Sequence, residues 1–361
     1  MGVKLQNIIV RKNIGYQDIA GKIIAIDAPN IVMGLFNFVR KSSNTSGSSL
    51  ILDRTQRPIS HLYGLLYRIN FYYSKKIFPI FCFDGKVSEL KRVITKDQLK
   101  DFIFTQKWYN EVLRTGNKKL ARQIALSKEY MWRNIIKESK NLLGALGVPY
   151  IEAPVSAESQ CAYLVKQGIA DFSNSQDFDS LLFACPHTIQ NLSKSLRRKV
   201  QGKWQYQKVQ PVQINLYKNL KNLGITIFQL VDIGILIGTD YFPGIAGIGP
   251  KKALYLIRKY KNIEHLILKE YNNYDFHALK SDIIKKVRKL YLVPDVNDVN
   301  DNIHWNPPNI TQVLSLLCVE HHLNKERVVK NLDTFNLNYG KCRDYFLHQK
   351  RVPRTSQLTL Y

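Results

Sequence analysis

The chain has 361 residues, of which 45% are hydrophobic and 11% aromatic, enough for one large or two modest cores, so a wholly disordered protein is excluded. Its 53 Lys and Arg against 28 Asp and Glu give a formal charge of +25, which predicts a polyanionic partner, with nucleic acid as the first candidate. An acidic membrane surface is the weaker alternative. The sequence has neither an apolar run of membrane-spanning length nor a signal-peptide pattern, so no membrane partner is expected.

Two short apolar runs that end in an acidic residue organise the first half of the chain. One comprises residues 22–27 and ends at Asp27, and the other comprises residues 77–84 and ends at Asp84. Residues 60–76 between them carry apolar side chains at helical spacing. This order predicts an α/β fold with a mostly parallel central sheet flanked by helices, in which ligands gather beyond the carboxyl ends of the strands.

The basic charge is concentrated after the second apolar run. Residues 86–128 contain eleven Lys or Arg against four acidic residues, and they contain no Pro. This composition predicts a solvated helical pair that projects over the sheet, and a plain surface hairpin is the alternative.

The five cysteines are widely spaced and include no C-x-x-C pair. An odd number without metal-ligand spacing is typical of reduced packing residues, so the protein is expected to be intracellular.

Six acidic residues are candidates for one metal site, since hard divalent cations such as Mg²⁺ take oxygen ligands and a phosphate-binding site draws them from several segments. Two of them have the period-two spacing that places side chains on the same side of an extended segment. For any single acid, a helix cap or a turn is the competing interpretation. The six are Asp27, Asp84, Glu158, Asp177, Asp179 and Asp240, and the period-two pair is Asp177 and Asp179.

A Gly-rich turn between two predicted helices is the second candidate site. The helices are predicted at residues 228–237 and 251–259, and Gly247 and Gly249 lie in the turn between them. Glycine lets a backbone approach a phosphate, the second helix offers its N-terminus to the anion, and Lys251 and Lys252 add charge. Residues 228–262 therefore predict a helix-hairpin-helix that binds duplex DNA without reading its sequence.

These segments resemble, in this order and over nearly the whole chain, the flap endonuclease family, most closely its archaeal members. The resemblance implies a two-metal, phosphodiester-cleaving site that uses Mg²⁺, with Mn²⁺ as a substitute, and a K⁺ ion at the helix-hairpin-helix. It implies one nuclease domain over residues 1–345, with a basic helical arch at 86–130, acting as a monomer in the cytoplasm or nucleoid of an archaeal cell. The matching stretches are Met1-Gly-Val, Ile26-Asp-Ala, Ser60-His-Leu, Tyr67-Arg68, Phe83-Asp-Gly, Ala153-Pro, Glu158, Gln160, residues 175–183, Gly238-Thr-Asp-Tyr and residues 247–254.

Carried over residue by residue, the six candidate acids correspond to six of the seven metal-site carboxylates of the family. The seventh position holds Ser156, whose hydroxyl is a weaker ligand for a hard cation. The resemblance implies that Lys91 and Arg68 position the phosphate and counter its developing charge. It assigns DNA contacts to Gly2 and Arg40, in addition to the four hairpin residues.

The C-terminal residues 346–361 resemble the start of the tail with which the family binds the replication sliding clamp. Gln357 and Leu360 fit that motif, whereas the usual aromatic pair is reduced to Tyr361. A fraying terminus is the competing interpretation.

The function implied is metal-dependent cleavage of 5′ flaps near the junction of single and double strand, in replication and repair, together with 5′ exonuclease activity. Two alternatives remain open. One is a flap- or junction-binding homologue whose cleavage is reduced or lost because of Ser156, and the other is a related repair nuclease that prefers a different DNA geometry.

Overall fold

The computed structural model describes residues 2–36, 40–41, 48–49, 51–55, 57–85, 108–125, 128–193, 195–200, 203–299 and 303–351. Its strands, in chain order, are β1 (Lys12–Asn13), β2 (Lys22–Asp27), β3 (Arg40–Lys41), β4 (Ser48–Ser49), β5 (Ile77–Phe83), β6 (Tyr150–Glu152), β7 (Phe172–Asn174), β8 (His187–Gln190), β9 (Ser195–Val200), β10 (Lys203–Lys208) and β11 (Val212–Asn215). Seven of them form one sheet in the order β1-β11-β8-β7-β2-β5-β6, while β3 pairs with β4 and β9 with β10.

Most of the large sheet is parallel, as predicted. Strand β2 pairs in parallel with β5 on one side and with β7 on the other, β5 with β6, and β7 with β8. Only β11 and β1, at one edge, run antiparallel to their neighbours. The carboxyl ends of five strands therefore meet along one edge of the sheet, where ligands collect in such folds.

The helices, in chain order, are α1 (Ala28–Phe36), α2 (Ser60–Ser74), α3 (Lys118–Ala125), α4 (Lys128–Ala145), α5 (Ala157–Lys166), α6 (Asp179–Leu182), α7 (Leu216–Leu223), α8 (Ile227–Ile237), α9 (Pro250–Tyr260), α10 (Ile263–Glu270), α11 (Ser281–Leu292), α12 (Ile310–Leu314) and α13 (Lys325–Arg351). Residues 108–114 are also helical, and Ser315–Glu320 form a π-helical turn. Helix α2 confirms the helix predicted at residues 60–76. The observed helix ends at Ser74, two residues before the end of the predicted range.

The sheet separates two hydrophobic cores because alternate residues of its central strands face opposite sides. On β5, Ile80 and Cys82 belong to one core and Phe81 and Phe83 to the other. All seven residues of β5 are buried, which explains why its sequence is a continuous apolar run.

The region of the predicted arch is described only from residue 108 onward, so residues 86–107 lie outside the described part of the chain. The helical residues 108–114 and helix α3 share a small core of their own, formed by Tyr109, Val112, Ala121 and Ile124. The hydroxyl of Tyr109 donates to the carbonyl oxygen of Thr55 at 2.7 Å. This segment is therefore anchored to the body of the protein through the loop that precedes α2.

All five cysteines are free, and four of them are buried, as the sequence predicted. Within the described ranges, no single helix is long and apolar enough to cross a membrane, although α7 and α8 together, bent by 82°, match that length and composition. Helix α13 continues to Arg351, past the predicted domain boundary at residue 345.

Candidate active site

Asp27 occupies the last position of the central strand β2, and its side chain is only 5% exposed. Its Oδ1 atom accepts a hydrogen bond from the backbone N–H of Asn30 at 3.4 Å, and its Oδ2 atom lies 3.3 Å from the hydroxyl oxygen of Ser175, which shares its one proton between Asp27 and Glu158. Ser175 follows β7, the strand next to β2, so the parallel pairing of the two strands brings these side chains together.

Asp84 and Glu158 approach the same edge from β5 and α5. The Oδ1 atom of Asp84 accepts the backbone N–H of Ala157 at 2.8 Å, which fixes the start of α5 against the end of β5. Gly85 permits this approach, because a Cβ atom there would lie 1.8 Å from the carbonyl oxygen of Ala153. Glu158, in the first turn of α5, accepts a 2.7 Å hydrogen bond at Oε1 from the Ser175 hydroxyl.

Asp177 and Asp179 lie beyond the carboxyl end of β7, close to the start of the chain. Oδ2 of Asp177 is 3.3 Å from the donating Nδ2 of Asn30. Oδ2 of Asp179 accepts the backbone N–H of Val3 at 3.1 Å. A Cβ atom on Gly2 would lie 2.4 Å from Asp179 Oδ2, so Gly2, predicted to contact DNA, packs directly against the acidic residues.

The prediction that Asp177 and Asp179 share one side of an extended segment is wrong. Strand β7 ends at Asn174, the chain then bends, and Asp179 is the first residue of α6. The bend is stabilised by a hydrogen bond from the backbone N–H of Asp177 to the Ser175 hydroxyl, 3.2 Å long. The two carboxylates are brought to the same cluster by this bend rather than by strand periodicity.

The charges of neighbouring carboxylates contribute to the raised pKa values of the buried acids. Burial and then the charge of Asp84 raise the pKa of Asp27 to about 7. Burial and the charges of Asp179 and Asp27 raise the pKa of Glu158 well above its ordinary value. Burial and the charge of Asp240 raise the pKa of Asp179 to about 6. The structure thus brings acids from distant segments into one electrostatic group.

Asp177 completes this group, because its charge contributes to the raised pKa of Asp27, of Glu158 and of Asp179. All six candidate acids are therefore close enough to interact. We call this set of six the acidic cluster.

The donor chemistry of the acidic cluster fits hard divalent cations, which take carboxylate oxygens as ligands. Among the residues that the structure describes, no three acidic, His or Cys side chains already form a group that could hold an ion. The chemistry of its carboxylate donors therefore makes the acidic cluster a candidate metal site.

Ser156 lies at the border of the acidic cluster. It is the N-cap residue of α5 and directly precedes Ala157, whose backbone N–H binds Asp84. Its hydroxyl makes no capping hydrogen bond, while its carbonyl oxygen accepts the hydroxyl of Ser159 at 2.7 Å. The backbone of Ser156 therefore lies next to two of the candidate metal ligands, Asp84 and Glu158.

The predicted basic residues are only partly described. Arg68 lies on α2, where its Nη1 donates to the hydroxyl of Ser193, just beyond the carboxyl end of β8. Arg40 lies in β3, but its side chain is outside the described part of the chain. Lys91 is wholly outside it. The roles of these three residues remain predictions.

The Gly-rich turn connects helices α8 and α9 as predicted, each within one residue of the predicted bounds. Gly244 has a φ of 86°, and a Cβ atom there would lie 2.6 Å from the backbone nitrogen of Gly238, so the turn closes tightly. Gly247, with a φ of 78°, faces open space, where a phosphate could approach its backbone.

The second hairpin helix presents its N-terminus at the same place. Gly249 is its N-cap residue and provides no side-chain cap. Lys251 and Lys252 in the first turn are exposed, and the Lys252 ammonium lies 5.2 Å from the centroid of the Tyr274 ring. Two exposed cations thus lie at a helix N-terminus without a side-chain cap, which is a suitable place for an anion.

Sequence reasoning missed the neutral groups that hold the acids, namely Asn30, Ser175, the backbone of Val3 and Tyr291. Ser175 is only two residues before Asp177, so its sequence position could have indicated a place beside the acids. The hydroxyl of Tyr291 donates to Asp179 Oδ1 at 3.2 Å. Because the two residues are 112 positions apart, nothing in the sequence indicated this contact. Gln357 and Leu360, predicted to bind a clamp, lie outside the described residues.

Comparison with known proteins shows the family. Residues 1–100 match the XPG N-terminal domain, and residues 147–240 match the XPG I-region. The Flap endonuclease 1 of Archaeoglobus fulgidus is 34% identical over 92% of this chain and 95% of the relative. That of Thermofilum pendens is 37% identical over 92% and 94%. This chain belongs to the flap endonuclease family.

Solved structures of related nucleases share the fold. Flap endonuclease-1 from Methanococcus jannaschii has a TM-score of 0.70 at 24% identity, covering 94% of this chain and 99% of that one. The catalytic core of Rad2 in complex with DNA substrate has a TM-score of 0.62 at 23% identity, covering 90% and 96%. Human GEN1 in complex with Holliday junction DNA has a TM-score of 0.64 at 20% identity, covering 94% and 78%.

Proposed function

We propose that this protein is a metal-dependent, structure-specific DNA endonuclease that cuts 5′ flaps near the junction of single and double strand and has 5′ exonuclease activity. The acidic cluster carries this proposal, because its carboxylates come from five parts of the chain to the carboxyl edge of a mostly parallel sheet. Relatives that align over nearly their whole length are named Flap endonuclease 1.

The acidic cluster would hold Mg²⁺, or Mn²⁺ in its place, and the resemblance implies two ions. When bound, such ions activate water for attack on a phosphodiester and stabilise the leaving oxygen. The residues of the chain prepare the site for them. Ser175 and Asn30 hydrogen-bond to neighbouring acids, which limits how far these carboxylates can rotate. Arg68 and Lys91 would orient the phosphate and offset its negative charge.

The hairpin between α8 and α9 would bind the duplex part of the substrate. Exposed glycine backbone and the two lysines offer contacts to phosphate rather than to base edges, so the DNA would be recognised by shape. The family resemblance adds K⁺ at this turn, a basic arch over the single strand and a clamp contact by Gln357 and Leu360. We expect the protein to act as a monomer. We also expect it to act inside the cell, where its DNA substrate is found.

Cleavage of a labelled double-flap DNA tests the proposal directly. The substrate carries its label on the 5′ flap and is incubated with the protein and Mg²⁺, and parallel reactions contain EDTA or a blunt duplex. We expect a product cut within a few nucleotides of the junction, only with metal and only from the branched DNA. Tight binding without cleavage at any Mg²⁺ concentration would instead support the junction-binding alternative, which the names of the relatives do not favour.

The contribution of the hairpin is tested by replacing Lys251 and Lys252 together with Ala. Binding to all duplex sequences should weaken alike, and the slope of log affinity against log salt should fall by roughly one unit for each lost phosphate contact. A salt slope equal to that of the wild type would show that this helix does not touch DNA. Lys221→Ala, in the last turn of α7, is a control that removes a cation outside the hairpin.

A further inference from the structure

Tyr291 is a buried tyrosine whose hydroxyl reaches the acidic cluster. It lies in the last turn of α11 and is 1% exposed. Its hydroxyl is 3.2 Å from Oδ1 of Asp179, and both atoms are buried. Because an ionised carboxylate only accepts hydrogen bonds, the tyrosine is the donor.

The ring of Tyr291 is fixed between two acid-bearing segments. Its centroid lies 4.8 Å from that of Phe183, four residues after Asp179, and 5.5 Å from that of Tyr241, the neighbour of Asp240. Aromatic pairs at these separations pack favourably and restrict ring movement. The hydroxyl is therefore held in place by the same segments that carry Asp179 and Asp240.

The two oxygens of Asp179 have different donors. Oδ2 accepts the backbone N–H of Val3 at 3.1 Å, and Oδ1 accepts the hydroxyl of Tyr291. The terminal torsion of an aspartate is otherwise broad, so a carboxylate with only one donor can still turn about its Cβ–Cγ bond. With a donor at each oxygen, the carboxylate plane is fixed and each oxygen keeps a lone-pair direction for a further partner.

We infer that Tyr291 is a positioning residue of the nuclease site, whose hydroxyl orients the Asp179 carboxylate for a divalent cation. This inference rests on the proposed role of Asp179 as a metal ligand. Donors in the outer shell of a metal site commonly act in this way, by holding a ligand in the orientation that the ion requires.

Direct metal binding tests the inference without relying on cleavage. Mn²⁺ is titrated by calorimetry into the full chain without DNA, for the wild type and for Tyr291→Phe, which keeps the ring and removes the hydroxyl. We expect Tyr291→Phe to bind Mn²⁺ about tenfold more weakly, at the lower end of the range for outer-shell partners. The Mg²⁺ concentration for half-maximal cleavage should rise in parallel, while kcat at saturating Mg²⁺ and flap affinity in Ca²⁺ stay near wild type.

Tyr163→Phe is the matched control, since the Tyr163 hydroxyl donates to Oδ1 of Asp298 at 2.8 Å outside the acidic cluster. It should leave the Mn²⁺ isotherm unchanged. Thermal melting of each variant confirms that the assays compare folded proteins. A wild-type Mn²⁺ isotherm for a folded Tyr291→Phe would overturn the inference.

A double-mutant cycle with Asp179→Asn separates this inference from the function on which it rests. If Tyr291 acts through Asp179, the effect of Tyr291→Phe on Mn²⁺ affinity should disappear in the Asp179→Asn background. An undiminished effect there would show that Tyr291 acts elsewhere, and the inference would be wrong. If Asp179→Asn alone leaves Mn²⁺ affinity unchanged, the assignment of Asp179 as a ligand fails, whatever Tyr291 does.

Discussion

Asp27 and Asp53 are both buried aspartates, with exposures of 5% and 7%, yet their pKa values are shifted in opposite directions from the ordinary value. The pKa of Asp27 is raised to about 7, first by burial and then by the charge of Asp84. Burial also raises the pKa of Asp53, but hydrogen bonds from His321, Arg57 and Thr55 outweigh it and hold the value at about 2. Burial alone therefore does not decide how a carboxylate behaves.

The difference lies in what each carboxylate contacts. Asp53 Oδ2 is 2.9 Å from the guanidinium nitrogen Nε of Arg57 and 3.2 Å from Nδ1 of His321, so the chain provides a cation. The groups that hydrogen-bond to Asp27 are neutral, being the Ser175 hydroxyl and the Asn30 backbone. Buried charges are tolerated when paired or when they coordinate metals. The surroundings of Asp27 therefore agree with the proposal that the acidic cluster binds a cation from outside the chain.

A second buried acid with its own cation is Asp232 on α8, whose side chain is fully buried. Arg288 contacts both of its oxygens, with Nε at 2.7 Å from Oδ1 and Nη2 at 2.8 Å from Oδ2. The guanidinium carbon also lies 4.4 Å from the centroid of the Phe228 ring. This pair joins α8 to α11, so it fixes the first hairpin helix to the body of the protein.

The largest effect is expected when the acidic cluster loses one acid. Asp179→Ala should reduce single-turnover cleavage of flap DNA on the order of 10⁴-fold, because metal ions stabilise such transition states by several kcal/mol. Flap binding should stay within severalfold, since contacts with phosphate supply most of the affinity. Asp333→Asn, on the exposed face of α13, is the control and should cleave normally. Normal cleavage by Asp179→Ala would remove Asp179 from the site.

The next effect concerns the paired acids. Arg288→Met leaves Asp232 buried without a cation, which should lower the free energy of unfolding by about 3–5 kcal/mol in urea denaturation. Burial raises the pKa of Asp232 even with Arg288 present. Without Arg288, the ionised carboxylate of Asp232 would therefore be strongly disfavoured in the folded state. Replacing both residues, as Arg288→Met with Asp232→Leu, should recover most of the loss. Equal losses in the single and double variants would contradict an electrostatic cause.

Rising pH should change the free energy of unfolding in opposite directions through the acidic cluster and through Asp53. Asp27 and Asp179 have folded pKa values of about 7 and about 6, above the ordinary value, so the folded state binds protons that the unfolded state has lost. Without metal, their contribution favours folding near pH 4 and is lost as pH rises to about 7. Asp53, at about 2, contributes stability above pH 4 that is lost as pH falls toward 2.

Thermal melting in EDTA should therefore show a more stable protein at pH 5.5 than at pH 7.5, by on the order of 2 kcal/mol. Mg²⁺ should remove most of this difference, because the ion binds the ionised carboxylates and favours the folded state at pH 7.5. The contrast between the regions would be refuted by a metal-free protein that is equally stable at both pH values.

The sequence supports prediction where the physical signal is local. An apolar run followed by an acid predicted the ends of β2 and β5 and therefore Asp27 and Asp84, because a buried parallel strand requires continuous apolar residues. The bend that carries Asp177 and Asp179 was not predicted, since besides its local hydrogen bond to Ser175 it involves contacts with Asn30 and the start of the chain.

Partners that are distant in sequence gave no local signal at all. His321 and Asp53 are 268 residues apart, and an isolated histidine in a sequence does not indicate which carboxylate it will meet. Asn30 looks like an ordinary helix-start residue in α1 until the fold places its amide beside Asp177. The sequence was enough to nominate the six acids as candidates, whereas the groups that orient or neutralise carboxylates depend on the tertiary structure.

The smallest effect is expected at Ser156, where one carboxylate can be added to the acidic cluster. Ser156→Glu places an acid at the N-cap of α5, next to the residue that binds Asp84. A negative charge near a helix N-terminus is favourable by itself, so the fold should tolerate the change. Without metal, however, an added charge beside Asp84 should slightly lower the melting temperature at pH 7.5.

When metal is present, the carboxylate added by Ser156→Glu should be favourable instead of destabilising. An additional anionic oxygen strengthens the binding of a hard cation, so Ser156→Glu should lower the Mg²⁺ concentration for half-maximal cleavage by about threefold. Ser156→Gln has the same size without the charge and should not reproduce this shift. Ser156→Ala should raise the Mg²⁺ requirement modestly, because the hydroxyl, which makes no capping hydrogen bond, is free to support the hydration of the ion. If neither Glu nor Ala at this position moves the titration, Ser156 is remote from the ions, and the acids of the cluster suffice without a seventh ligand.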